Sequence, residues 1–280
     1  VAVNTTFPSH LVAQASDLLS TPSADRCFLD VRLGDPTEEY RDFRKCHIHG
    51  ALHAQIREVF ASRPTEQTGT LPLPDITLLA EQLTGWGIRS DTEVIVYART
   101  PAIAARGWWT LRWAGLTNVR LLDGGLQAWR DAGGAVAEGP AHRHALPRGS
   151  LRLHPDNMPT VTAADVEARS PGTIVVDARD EATFVGGHIP KAVNLPAIEQ
   201  WTPRSDLRAL QQIQLLYHNA GISSGSDVIV YCGGGVLSAL EVLTLQAATG
   251  VTPHLYVGSW SDWIRDPQRR AAAHVEHQIF

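Results

Sequence analysis

Short runs of apolar β-formers alternate with longer helix-like stretches along the chain. "TIVVDA" (Thr173 to Ala178), "VIVYC" (Val228 to Cys232) and "PHLYVG" (Pro253 to Gly258) read as strands, and "VLSALEVLTLQAATG" (Val236 to Gly250) reads as a helix. "CFLDV" from Cys27 and "VIVYA" (Val94 to Ala98) read as strands in the first half. Strands that are apolar throughout, instead of alternating with polar residues, are buried on both faces. Interleaved with helices, they predict an α/β fold in which a mainly parallel sheet carries helices on both faces.

The pattern occurs twice. "LDVR" (Leu29 to Arg32) answers "VDAR" (Val176 to Arg179), and "HIHGAL" (His47 to Leu52) answers "HIPKAV" (His188 to Val193). "LDGGLQAW" ending at Trp129 answers "YVGSWSDW" ending at Trp263, and Tyr97 to Trp129 spans the same distance as Tyr231 to Trp263. An internal repeat of this length predicts two copies of one domain. The copies are expected over residues 1–138 and 160–280. The Pro-, Gly-, Arg- and His-rich stretch 139–159, which has no clear period, is expected to link them. The first copy carries about thirteen more residues ahead of its "VIVY" strand, and these are assigned to loops.

With 280 residues, 44% of them hydrophobic, the chain can supply a core to each copy. A formal charge of -5 gives no basic field for nucleic acid or an anionic membrane, so a small molecule or a protein is the expected partner. No apolar run approaches the roughly 18 residues that cross a bilayer, and "VAVNTTFPSH" has no basic start or apolar signal core. A cytoplasmic protein is expected. Cys27, Cys46 and Cys232 are widely spaced with no C-x-x-C pair, which argues against a disulfide framework or a zinc site.

Chemistry points to "DVIVYCGGGVLSAL" (Asp227 to Leu240), where Cys232 stands at the end of a strand, ahead of three glycines and a helix. In parallel sheets ligands bind beyond the carboxyl ends of the strands. Glycines there allow successive N–H groups to turn inward as an anion-binding nest, with the positive end of the next helix behind them. Such a cradle stabilises a thiolate and makes it a nucleophile. The plain alternative is a small core cysteine. Cys27, inside an apolar strand, and Cys46, among charged residues without glycines, fit that alternative. Trp108, Trp109, Trp129, Trp260 and Trp263 are expected in the core or along a cleft wall.

These residues resemble the rhodanese superfamily, specifically its tandem two-domain sulfurtransferases acting on thiosulfate or mercaptopyruvate. The resemblance rests on D-x-R at Asp177 to Arg179, "GHIPKAVNLP" from Gly187, "VIVYCGGGV" from Val228 and "GSWSDW" from Gly258. It implies two rhodanese-like domains, the second catalytic and the first, with Ala98 in the place of Cys232, without the nucleophile. It further implies Cys232 as the catalytic residue in a loop of Gly233, Gly234, Gly235, Val236, Leu237 and Ser238. Candidate substrate contacts carried over from the family are Arg179, His47 and Asp35, while His188 is expected to be structural. Sulfur would pass from donor to Cys232 as a persulfide, then to cyanide or a thiol, a protein thiol among them. The scheme needs no metal or cofactor.

The match departs from the family in two places. The loop has no Lys or Arg, which thiosulfate-using members tend to place there, and it lacks the hydroxyl that mercaptopyruvate enzymes carry at the position of Gly234. The neutral loop leans towards mercaptopyruvate, although Thr183 stands where an arginine of the mercaptopyruvate enzymes would fall. A cysteine phosphatase would need an arginine in the loop to grip phosphate. A non-catalytic rhodanese-like module, regulatory or redox-sensing, is the other alternative.

Overall fold

The computed structural model describes residues 6–141 and 151–275. The first repeat holds strands β1 (Val12–Ala13), β2 (Arg26–Arg32), β3 (His47–Ile48), β4 (Leu52–Gln55), β5 (Glu93–Tyr97), β6 (Val119–Leu122) and β7 (Val136–Ala137). The second holds β8 (Thr160–Val161), β9 (Ile174–Asp177), β10 (Val193–Asn194), β11 (Val228–Tyr231) and β12 (His254–Tyr256). Two five-stranded sheets result, β1-β6-β5-β2-β4 and β10-β9-β11-β12-β8, and every pairing within them is parallel. β3 and β7 form a separate antiparallel pair.

Helices flank both sheets. In the first repeat they are α1 (Ala15–Ser20), α2 (Pro36–Lys45), α3 (Ile76–Gly85), α4 (Pro101–Trp113) and α5 (Gly125–Asp131). In the second they are α6 (Ala163–Glu167), α7 (Glu181–Val185), α8 (Leu210–Asn219), α9 (Leu237–Thr249), α10 (Ser259–Trp263) and α11 (Pro267–Val275). None of the described helices is long and apolar enough to cross a membrane.

The repeat extends to individual contacts. Ile48 N–H donates to the Tyr97 hydroxyl at 3.1 Å, and Ile189 N–H donates to that of Tyr231 at 3.0 Å. Arg32 grips Asp30 as Arg179 grips Asp177, both pairs buried. His47 stacks on Phe43 at 4.0 Å, and His188 stacks on Phe184 at 3.9 Å. The equivalent helices α4 and α9 pack against each other between the sheets, which is why both are apolar almost all round and buried along most of their length.

The extra length of the first repeat is not all loop. Seventeen positions separate Asp30 from His47 and eleven separate Asp177 from His188, because α2 has ten residues and α7 has five. Asp35 caps α2 by accepting from Thr37 and Glu38 N–H, and Pro36 opens it, so the insertion is stable as helix. The remaining extra residues fall after β4, in a π-helical turn (Ile56–Phe60) and the segment 61–75. Of the linker expected over 139–159, residues 142–150 lie outside the described residues. Beyond them, His154 and Asn157 N–H donate to the Ala114 and Trp113 carbonyls at the end of α4.

Glu241, inside α9, is fully buried and accepts from Gln200 Nε2 at 2.6 Å and the Tyr217 hydroxyl at 2.5 Å. Burial pushes its carboxyl up to about 7, against the opposing pull of those two hydrogen bonds. The folded protein therefore holds this proton at a pH where the unfolded chain has released it. Its contribution to stability is complete below about pH 4.3 and is lost as pH rises through about 7. We expect the unfolding free energy of the wild type relative to Glu241→Gln to fall by on the order of 3 kcal/mol between about pH 4 and pH 8, measured by urea titration.

Candidate active site

Cys232 is the first residue beyond β11, and the turn after β12 fixes its main chain. Cys232 N–H donates to Ser259 Oγ at 3.2 Å, and that hydroxyl donates to the Tyr256 carbonyl at 2.9 Å. Trp260 N–H and Ser261 N–H donate to the carbonyls of Cys232 and Gly233 at 2.8 and 3.0 Å. The "GSWSDW" motif thus acts as a backbone bracket under the loop.

Above the bracket the chain curls back over the sulfur. Gly235 takes a left-handed φ of +82°, which turns its N–H onto Cys232 Sγ at 3.1 Å. The Ser238 hydroxyl, one residue into α9, donates to the same sulfur at 3.4 Å. Cys232 is 2% exposed and packs with Ala178, Ala197, Trp201 and Leu237, whereas Gly233, Gly234, Val236 and Leu237 are half-buried. The expected nest is narrower than its three glycines suggest. Among the described contacts one loop amide, that of Gly235, points at the sulfur, and Cys232 N–H turns to Ser259 instead.

The first repeat closes the site from the other side. Thr70 N–H donates to Ser261 Oγ at 3.0 Å, and a Cβ placed on Gly234 would lie 2.5 Å from Thr70 Oγ1. Segment 61–75, part of the extra length of the first repeat, therefore lies across the loop of the second. Arg106 of α4 reaches the loop from within, donating from Nη1 to the Gly235 carbonyl at 3.2 Å. Residue by residue, Gly235 is demanded by its φ and by the 2.7 Å that would separate a Cβ from Arg106 Nη1, Gly234 faces Thr70, and Gly233 has open space.

The carried-over substrate contacts each have partners within the scaffold. Arg179 spends its guanidinium on Asp177 and on the Gly187 carbonyl at 2.8 Å, and lies over the Trp260 ring at 4.5 Å, so it braces the bracket behind the loop. His47 is buried with Nδ1 3.0 Å from the Phe43 carbonyl, and Asp35 caps α2. No described polar contact joins either to the Cys232 loop. His188 repeats the His47 arrangement with Phe184. Trp108, Trp109, Trp129 and Trp263 are core residues, and Trp260 is partly buried. Sequence reasoning passed over Thr70 and Arg106. A lone arginine within the apolar stretch "PAIAARGWW" was the available signal for the second.

The model of the rhodanese-like domain matches residues 11–132 and 162–266. A Pseudomonas aeruginosa protein named a probable 3-mercaptopyruvate sulfurtransferase is 37% identical, over 92% of this chain and 95% of its own. A Mycobacterium tuberculosis protein provisionally named the thiosulfate sulfurtransferase SseB is 33% identical, over 86% of this chain and 88% of its own. The crystal structure of SseA from Escherichia coli, described as a 3-mercaptopyruvate sulfotransferase, superposes with a TM-score of 0.75 at 27% identity, covering 89% of this chain and 98% of that one.

Gly235→Ala tests the loop geometry. A side chain there meets a left-handed φ, Arg106 Nη1 at 2.7 Å and the Val257 carbonyl at 3.0 Å. We expect a loss of about 1–3 kcal/mol in denaturant unfolding, together with slower alkylation of Cys232, whereas Gly233→Ala should leave both near wild type.

Proposed function

The chain belongs to the rhodanese-like domain family and is a sulfurtransferase, and on that premise we propose that Cys232 carries the transferred sulfur as a persulfide. The observation that supports this most directly is the sulfur at the end of β11, held by Gly235 N–H and the Ser238 hydroxyl. Those two donors can stabilise the thiolate before it is loaded and again when the outer sulfur leaves.

In the first half-reaction the Cys232 thiolate attacks the outer sulfur of the donor. With mercaptopyruvate the C–S bond breaks, its electron pair stays on carbon, and that carbon takes the proton released from the donor thiol to give pyruvate. With thiosulfate the S–S bond breaks and sulfite leaves with the pair. In the second half-reaction cyanide or a thiolate, small or carried by a protein, attacks the outer sulfur, and the S–S electron pair returns to Cys232. Two displacements through one covalent intermediate give ping-pong kinetics. A cytoplasmic setting, where thiols stay reduced, belongs to the same reading. So does the division into an amino-terminal domain over 1–138, a linker and a catalytic domain over 160–280.

The alternative, a regulatory or redox-sensing module, draws on the 2% exposure of Cys232. Incubation with mercaptopyruvate and, separately, thiosulfate decides between them by intact-mass spectrometry. We expect a gain of about 32 Da, one sulfur, that cyanide removes as thiocyanate and Cys232→Ser abolishes. No adduct from either donor would point to the module.

Donor choice follows from the neutral loop, which favours the singly charged mercaptopyruvate over the doubly charged thiosulfate. Open space at Gly233 gives a direct check. Gly233→Arg should fold normally and raise kcat/KM for thiosulfate relative to mercaptopyruvate by about tenfold, the effect of roughly 1.4 kcal/mol from one charge-assisted contact.

A further inference from the structure

Arg106 is a fully buried guanidinium whose hydrogen-bond acceptors are all backbone carbonyls: Gly235 at 3.2 Å, Phe60 at 3.3 Å and Leu71 at 3.0 Å. Among the described residues its Nε is buried without a hydrogen-bond partner and no carboxylate pairs with its guanidinium. On the facing helix α9 the buried carboxyl of Glu241, which holds its proton up to about pH 7, is hydrogen-bonded to Gln200 and Tyr217. A cation removed from water needs compensation. Carbonyl dipoles supply part of it. Among the described residues, the group beside the guanidinium that can carry negative charge is the sulfur of Cys232, which accepts the N–H of the same glycine whose carbonyl Arg106 holds.

We infer that Arg106, a residue of the first repeat, is the positioning cation of the Cys232 site: it fixes the Gly235 peptide so that its N–H faces the sulfur, and its charge favours the sulfur anion. The inference rests on Cys232 being the reactive sulfur. Its two parts reinforce each other, since a peptide pulled at its oxygen by a cation is a stronger donor at its nitrogen. Burial lowers the guanidinium to about 10 while the charge of Cys232 pulls the other way, so Arg106 stays cationic at neutral pH. Arg106 also ties the loop to Phe60 and Leu71 of the first repeat, so the reactivity of the second repeat depends on the packing of α4 against α9.

The test compares Arg106→Gln and Arg106→Lys in the full chain, with the rate of Cys232 alkylation by iodoacetamide read by mass spectrometry near pH 7 and near pH 9.5. Arg106→Gln should slow alkylation about tenfold or more near pH 7 and stay within about threefold of wild type near pH 9.5, where a cysteine is ionised without help. Arg106→Lys should recover most of the neutral-pH rate. Equal rates of Arg106→Gln and wild type at both values, or equal slowing at both, would overturn the charge role, the second outcome marking a displaced loop. If Arg106→Gln does not fold, Arg106→Lys carries the test: a rate near pH 7 within about threefold of wild type supports the inference, and a folded Arg106→Lys slowed tenfold there overturns it. Alkylation needs no sulfur donor. A wild type that gains no sulfur, yet reacts in the Arg106-dependent way, would sink the proposed function and leave this inference standing.

Discussion

The contact on which the proposed chemistry depends is the 3.1 Å hydrogen bond from Gly235 N–H to the sulfur of Cys232. It requires a left-handed residue three positions after the cysteine, a loop main chain held at Cys232 and Gly233, and a helix that begins immediately afterwards. Each requirement is met by a different part of the chain. Glycine supplies the φ of +82°, the turn over Ser259 to Ser261 holds the loop, and α9 brings the Ser238 hydroxyl to the same atom. The parallel sheet sets the position, because β11 is paired on both sides, with β9 and β12, and delivers its last residue to the carboxyl edge.

Duplication adds a second layer of constraint. Each repeat lays a segment across the strand-end loop of the other. Thr70 bonds to Ser261 beside the Cys232 loop, while Ser205 Oγ donates to the Arg99 carbonyl at 2.7 Å and Leu207 N–H donates to Asp123 at 2.8 Å beside the loop that follows Ala98. The reciprocity makes the two copies one structural unit around α4 and α9. It also separates their roles. The first copy has Ala98 in the place of Cys232 and contributes Arg106 and Thr70 to the loop of its twin.

Much of this was legible in the sequence because it is local or periodic. Uninterrupted apolar runs marked the buried parallel strands, and equal spacing between Tyr97 and Trp129 and between Tyr231 and Trp263 marked the duplication. A strand, a cysteine, glycines and a helix marked the candidate site. The three glycines were harder to read, because composition does not tell a glycine needed for its φ from one needed for space or for neither, and each of the three falls in a different class. Arg179 and His47 were plausible substrate contacts by type and motif. The structure adds the partner that each one meets, which no motif gives: Asp177 and Gly187 for the first, Phe43 for the second. Thr70 has no local signature, and the one signal at Arg106, a lone arginine in an apolar stretch, does not say what it meets. They reach the loop only because α4 packs on α9 and because segment 61–75 crosses between the repeats.

A buried cation held by carbonyls also fits the charge history of the proposed cycle. A thiolate and the persulfide anion that replaces it carry the same charge, displaced by one S–S bond of about 2.05 Å. An arginine fixed by Gly235, Phe60 and Leu71 therefore faces one unit of negative charge in both resting forms and has no need to move between them. Exposed loop cations meet a different demand, the capture of a charged donor from solvent, and their absence here leaves the loop able to tolerate, without attracting, a dianion. In the proposed cycle, holding the sulfur anion and recruiting the donor are thus separable tasks. The first belongs to the interface between the repeats and the second to the rim of the loop, where Gly233 leaves room for a side chain that this sequence does not supply.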